Sequence, residues 1–304
     1  MSRRPRAVQS VEVVLVDAFT STPFAGNPAA VVPDATGLDE TIMRGVAAEL
    51  ARPATAFLRP MASGGDRGLR WFSPSGLELT LCGHGTVAAA HVLAARGEVS
   101  RGQLVFDTPR HRLAITLEGS GTSRTAWFEP DCPRWAPERE DLSPFLAALG
   151  LPAESLARWA PPARTSEQDL LIPVDTLETL RALTPDLGGL GRLAKARGVR
   201  GVVLTTRETC QPDALTHSRN FVPHFGIAED FATGSSHAAI GVWLWETGGL
   251  PVAEGVARFR AEQGDFQGRP GRLAVEVHGV PGRATRVRVG GHAAIVLTGR
   301  LSLP

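Results

Sequence analysis

One pattern occurs twice in this chain and restricts the fold more than any other feature. Arg70-Trp71-Phe72-Ser73-Pro74 runs into Cys82-Gly83-His84-Gly85, and Arg219-Asn220-Phe221-Val222-Pro223 runs into Thr233-Gly234-Ser235-Ser236. Each copy is Arg-x-Phe-x-Pro, a short loop, then a glycine turn that opens an alanine-rich helix. A single Arg-x-Phe-x-Pro arises easily by chance. A second copy about 150 residues later, feeding the same transition, is the mark of a duplicated domain. Two helix N-termini are thereby expected to face one another.

The chain has 304 residues, 43% of them hydrophobic, which suits two medium globular domains with ample core. Thirty-two basic residues against 31 acidic ones leave a net charge of +1, so nothing electrostatic points to nucleic acid or an anionic membrane. A small-molecule partner is expected. Cys82, Cys132 and Cys210 form neither a disulfide framework nor a Cys-x-x-Cys pair, which suggests a reducing compartment. The basic start Met1 to Arg6 lacks the apolar stretch of a signal peptide, and no segment approaches the roughly 20 apolar residues of a membrane span. The reading is a cytoplasmic protein. Its single lysine, Lys195, lies in a polar stretch and makes pyridoxal phosphate an improbable cofactor. No Gly-x-Gly-x-x-Gly turn follows a strand, which disfavours a dinucleotide-binding fold. No organic cofactor is expected.

Hydrophobic patterning fills in the elements. Val11 to Val16, Ala29 to Val32, Ala54 to Leu58 and Leu69 to Phe72 read as strands, the last two either side of a glycine-rich turn from Ser63 to Gly68. Thr41 to Leu50 has helical spacing. Thr86 to Ala95 is apolar almost all round, as befits a helix enclosed by a sheet, and Thr233 to Thr247 is its counterpart. In the second half, strands are expected at Leu170 to Val174, Val202 to Thr205, Ala257 to Glu262, Arg272 to His278, Thr285 to Val289 and Ala293 to Gly299. The proline-rich interval from Glu129 to Pro144 is the candidate inter-domain connection. The expected class is α+β and duplicated, each half a curved mixed sheet around one central helix. One domain would take residues 9–128 with a returning strand at about 290–304, the other residues 129–289.

The chemistry concentrates at the two glycine turns. Gly83 and Gly85 permit close backbone approach, and the helix that follows offers unpaired N–H donors and partial positive charge to a carboxylate. Gly234 repeats the device behind Glu229 and Asp230, so Gly83 and Gly234 would form the jaws of one anion clamp. His84 reads as a proton carrier or as a helix cap. Asp230 reads as a carboxylate that orients an amine or moves a proton, or as an acid favoured by the helix dipole. Ser235 reads as a donor to the clamped carboxylate or a capping serine. Cys82, His224 and His237 have weaker claims. No His-x-x-x-His or Cys/His ligand spacing appears, so no metal is expected. A two-thiol racemase is disfavoured, because the second copy has Ala232 or Thr233 where a partner for Cys82 would stand.

These motifs resemble the PhzF-like family of phenazine biosynthesis, which shares the diaminopimelate epimerase fold. The likeness runs through Val16-Asp17-Ala18-Phe19, Phe24-Ala25-Gly26-Asn27-Pro28-Ala29-Ala30-Val31, Arg70 to Pro74, Leu81 to Gly85, Ser218 to Phe221, Glu229 to Ser235 and Gly268-Arg269-Pro270. The resemblance implies two similar domains with the active site in the cleft between them, often a homodimer, and isomerisation by a proton shift without metal or organic cofactor. By motif match, His84, Asp230 and Ser235 take the family's substrate-contacting positions, with Gly83 and Gly234 in the clamp. The chain departs from the family at its proton-transferring glutamate, which sits in a Ser-Glu-Thr-like segment. Here that segment reads Arg52-Pro53-Ala54-Thr55-Ala56-Phe57, and the matching position is Ala54.

Alanine cannot shuttle a proton, so Asp230 or His84 would have to, unless Glu49 were repositioned or an activated substrate needed only orientation and electrostatics. The expected activity is a cofactor-independent isomerase. It would act on a small unsaturated amino acid or cyclic carboxylate in bacterial secondary metabolism, of phenazine-precursor or 4-alkyl-proline type. The alternatives are a non-catalytic ligand-binding relative and a lyase or cyclase that reuses the clamp.

Overall fold

The computed structural model describes residues 10–60, 67–99, 102–110 and 112–304. The basic start and most of the glycine-rich turn at 63–68 lie outside the described residues. The chain divides into two compact units, one comprising residues up to Phe24, Pro28–Ala126 and His292–Pro304, the other Ala25–Asn27 and Trp127–Gly291.

In the first unit, Ser10–Ala18 pairs antiparallel with Ala293–Ser302, from Ser10 opposite Ser302 to Ala18 opposite Ala293. The final strand thus belongs to the unit in which the chain begins. Asn27–Val32 runs parallel to Ala54–Pro60, which pairs antiparallel with Arg67–Phe72. A parallel pair needs a crossover, and the helix Glu40–Leu50 supplies it. Asp39 caps that helix by accepting the Ile42 N–H, Met43, Val46 and Ala47 are its buried face, and Ala51 ends it in the left-handed region at φ 49°. That face packs with Val11, Val13, Val32, Phe57 and Phe72 in one core. The helix Gly83–Ala95 is buried from Gly83 to Ala94 except at His84, and it touches Ser10–Ala18, Ala54–Pro60 and Ala293–Ser302. With strands on several sides, such a helix needs no polar face. A hairpin of Gly102–Asp107 and Arg112–Glu118 adds to the unit.

In the second unit, Val202–Thr206 lies between Leu170–Pro173, parallel to it, and Ala214–Val222, antiparallel. Ala214–Val222 runs parallel to Val256–Gln263, and antiparallel pairing continues through Gly271–Val280 to Arg283–Gly291. The helix Gly234–Glu246 packs on the last two of these. Gly241 makes the approach possible: a Cβ there would stand 2.9 Å from Val275 Cγ1 and 3.0 Å from Val277 Cγ2.

Three short helices not expected from the pattern, Ser143–Leu149, Leu177–Ala182 and Leu187–Ala196, bury Phe145, Leu149, Leu180 and Leu190 in a core shared with Ile172, Leu204 and Phe221. The interval 129–144 is not a free connection. Trp135–Pro137 pairs with Ala163–Thr165, and Pro144 sits in the first turn of a helix. The change of unit falls earlier, between Ala126 and Trp127.

Candidate active site

The repeated Arg-x-Phe-x-Pro acts as a strut in each unit. Arg70 donates to both oxygens of Glu78 at 2.6 and 2.8 Å, and its guanidinium lies 5.0 Å from the Phe72 ring centre. Arg219 donates to both oxygens of Glu229 at 2.8 Å and also lies 5.0 Å from the centre of Phe221. Glu78 stands four residues before Cys82, and Glu229 four before Thr233. The forked pair and the cation–π contact therefore fix the loop that delivers each helix start. Sequence reasoning named Glu229 only as a carboxylate beside Asp230 and did not single out Glu78, although the two share one offset.

In the first unit, Cys82 is the extended residue preceding the helix, and its side chain makes no capping bond. It is buried, with Sγ 3.7 Å from His84 Nδ1 and 3.8 Å from Nε2. His84 is partly exposed. A Cβ on Gly85 would meet Trp71 Cδ1 at 2.9 Å and Cys82 Sγ at 3.0 Å. The indole of the first motif therefore lies against the first helical turn, and only glycine fits at 85. The structure brings Cys82, Gly83, His84 and Gly85 together on that turn. Ala54, the first residue of its strand, is fully buried, and Glu49 lies on the exposed side of the Glu40–Leu50 helix.

In the second unit, Gly234 and Ser235 open the helix behind Thr233, whose hydroxyl is also not used as a cap. It donates instead to Asp230 Oδ2. Asp230 Oδ1 accepts from Asn27 Nδ2 at 2.8 Å and from the Phe231 N–H at 3.0 Å. Asn27 also donates to the Ala232 carbonyl at 2.8 Å, and Gln263 Nε2 donates to the Asp230 carbonyl at 2.7 Å. Asp230 is only 9% exposed. With two donors on Oδ1 and one on Oδ2, it retains acceptor capacity at Oδ2. Sequence reasoning named Asp230 as a candidate without linking it to Asn27, Thr233 or Gln263, and nothing local ties Asn27 to a residue some two hundred positions away.

Ser235 Oγ lies 3.4 Å from Arg200 Nη2. Of the weaker candidates, His237 is buried inside the helix, donates from Nδ1 to the Thr233 carbonyl at 2.9 Å, and has its pKa pushed down to about 4 by burial. It reads as a structural histidine. His224 follows Pro223 and packs on Phe225 with ring centres 4.1 Å apart, its pKa lowered by burial.

Cys210, His217, Glu262 and Asp265 place one donor atom each within 4.8 Å of one another, a grouping that no sequence spacing revealed. Glu262 already accepts from the Cys210 and Gln211 N–H groups and from His217 Nδ1, while Arg272 forks onto Asp265 at 3.0 and 2.8 Å. An arginine in that position repels a cation. The cluster reads as a partly buried ion-pair network around Glu262 that braces the strand Val256–Gln263.

Among the described residues no helix is long and apolar enough to cross a membrane. Residues 16–299 match the family described as phenazine biosynthesis-like protein. An uncharacterized isomerase of Pseudomonas aeruginosa is 35% identical over 290 residues, 95% of this chain and 97% of the relative. The PhzF-family phenazine biosynthesis protein of Bacillus anthracis superposes with a TM-score of 0.86 at 24% identity, over 96% of this chain and 99% of that one. A hydroxyproline epimerase of Agrobacterium vitis, with bound trans-4-hydroxy-L-proline, superposes with a TM-score of 0.60 at 13% identity, over 97% and 91%. The fold is thus the duplicated α+β type of the diaminopimelate epimerases. The chain belongs to the PhzF-like family, several of whose bacterial relatives are named uncharacterized isomerases.

Proposed function

We propose that this protein is a cofactor-independent isomerase that moves a proton, and with it a double bond, in a small unsaturated amino acid or cyclic carboxylate. The observation that carries this reading is the state of Asp230: a buried carboxylate fixed by Asn27, Phe231 and Thr233 at the start of a glycine-opened helix, with acceptor capacity left for a substrate proton. A carboxylate used only as a helix cap would bond the first-turn N–H groups, and Asp230 instead spends its oxygens on side chains and its neighbour's N–H. Asp230 is assigned to take up the proton at one end of an allylic system. His84 is assigned as the acid or second donor, and Gly83, Gly85, Cys82, Gly234 and Ser235 as substrate-binding positions.

Ala54 at the family's glutamate position makes the choice of substrate critical. A carbanion delocalised into a conjugated imine forms far more readily than one beside a simple amine, so a weaker base suffices. This favours 4-alkylidene-pyrroline-type acids in a biosynthetic setting. The same alanine also supports a second reading, a relative that binds its ligand without turning it over.

Proton NMR and mass spectrometry in D2O, with a dihydro-hydroxyanthranilate and a 4-alkylidene-pyrroline carboxylate, separate the two. Deuterium entering one position with a shifted double bond, slowed about 100-fold or more by Asp230→Asn, is the expected result. Binding without exchange supports the second reading, and exchange unaffected by both Asp230→Asn and His84→Ala refutes the assigned roles.

A further inference from the structure

Beside the start of the Gly234–Glu246 helix stands an arginine that the sequence motifs do not include. Arg200 donates from Nε to Asp169 Oδ1 at 2.8 Å and from Nη2 to Asp169 Oδ2, a fork–fork pair. Asp169 is 1% exposed and also accepts from Ser236 Oγ at 2.9 Å, so the carboxylate that aims the guanidinium is itself anchored in the helix. The backbone is pressed in behind the pair: a Cβ at Gly201 would stand 2.8 Å from Asn220 Oδ1 and 3.0 Å from Asp169 Oδ1. A solvent-facing arginine does not need that construction.

The guanidinium is held on one side only. Nη2 reaches Ser235 Oγ at 3.4 Å, and the Arg200 side chain keeps 33% of its surface exposed. Nη1 carries no hydrogen bond to the described residues. The negative charges that act on it are those of Asp169, Glu167 and Asp230. Arg200 and Asp169 cancel, which leaves Glu167 on the exposed surface, Asp230 as a buried carboxyl, and Nη1 and the Ser235 hydroxyl as polar groups for a ligand.

We infer that Arg200 is a specificity-determining residue whose Nη1, with the Ser235 hydroxyl, receives the substrate's carboxylate while Asp230 receives its amine or imine nitrogen. A fixed guanidinium rewards a carboxylate through a charge-assisted bond that a carboxamide cannot match. The site then reads both charges of a zwitterionic amino or imino acid, rather than a simple carboxylate. The inference rests on the proposed isomerase site but is tested by binding alone.

Calorimetry with 3,4-dehydro-L-proline, its carboxamide, and cyclopent-3-ene-carboxylate, which lacks the nitrogen, tests it on the full chain. The acid is expected to bind about tenfold or more tightly than the carboxamide. Arg200→Gln should abolish that preference, Arg200→Lys should retain part of it, and both should keep the preference for dehydroproline over the cyclopentene acid. Ser235→Ala, which leaves the Asp169–Arg200 pair intact, should reduce the acid preference by a smaller factor. Equal affinity for acid and carboxamide, including no binding of either, overturns the inference, as does a preference that survives in Arg200→Gln. Selective binding without isotope exchange would keep the role of Arg200 and remove the isomerase. Exchange without acid selectivity would do the reverse.

Discussion

Two buried ionisable residues show how single side chains are tuned by their surroundings. His237 is enclosed, and its pKa falls to about 4 because the charged ring would lose its hydration. The unfolded chain binds the extra proton between about 4 and the ordinary 6.5. Stability is therefore complete above about pH 6.5 and declines as the pH drops toward 4, by about 3 kcal/mol from this residue. Urea midpoints measured from pH 7 to 4 should show that decline, with a shallower slope in His237→Leu. Glu276 has the opposite character. Despite burial, Arg288, His278 and Arg258 hold its carboxyl down to about 2, so its contribution is complete above about pH 4.5 and is lost progressively as the pH falls from there toward 2. Asp230 was visible at this scale from its motif, whereas Arg200 was not, since its neighbours Asp169 and Ser235 come from distant segments.

At the scale of elements, the two struts resemble each other in geometry but differ in burial. Arg219 and Glu229 retain about a tenth of their side-chain surface, 10% and 12%, against 25% and 26% for Arg70 and Glu78. Removing one partner of a buried pair strands the other charge, while an exposed pair is screened by water. Arg219→Met should cost about 3 kcal/mol and Arg70→Met about 1 kcal/mol, read from denaturant melts. The glycines at the helices act by contact. Gly85→Ala must displace the Trp71 ring or Cys82, and Gly241→Ala must displace Val275 and Val277. Each should lower stability by about 1–3 kcal/mol, and only Gly85→Ala, at the helix start that carries His84, should also slow isotope exchange. The two central helices were legible because an all-apolar alanine-rich run admits few other fates. The helices at 143–149, 177–182 and 187–196 are short and rich in glycine, proline or polar residues, so their apolar positions acquire a face only once a sheet supplies the other half of the core.

For the molecule as a whole, the chain's end completes its beginning. Ala293–Ser302 pairs along the full length of Ser10–Ala18 and touches the first buried helix. Deleting residues 293–304 would leave Ser10–Ala18 paired only with Asn27–Val32, expose its other edge and uncover that helix, and the protein should then be recovered mainly as aggregate, as judged by solubility and circular dichroism. The homodimer implied by the family resemblance is a separate expectation: light scattering on the intact chain should give about twice the 32.2 kDa of one chain.

The sequence alone determined the enclosed helices, the glycine turns and the residues upon them, because each rests on a pattern within some fifteen consecutive residues, and the duplication, because one such pattern occurs twice. Only the tertiary structure decided that Asn27 and Gln263 hold the Asp230 segment, that Glu78 and Glu229 brace the loops, that Asp169 aims Arg200 at Ser235, and that Trp135–Pro137 within the proline-rich stretch joins a sheet. These are pairings between distant segments. The chain encodes them in the total energy of packing and hydrogen bonding rather than in any local spacing that could be read along it.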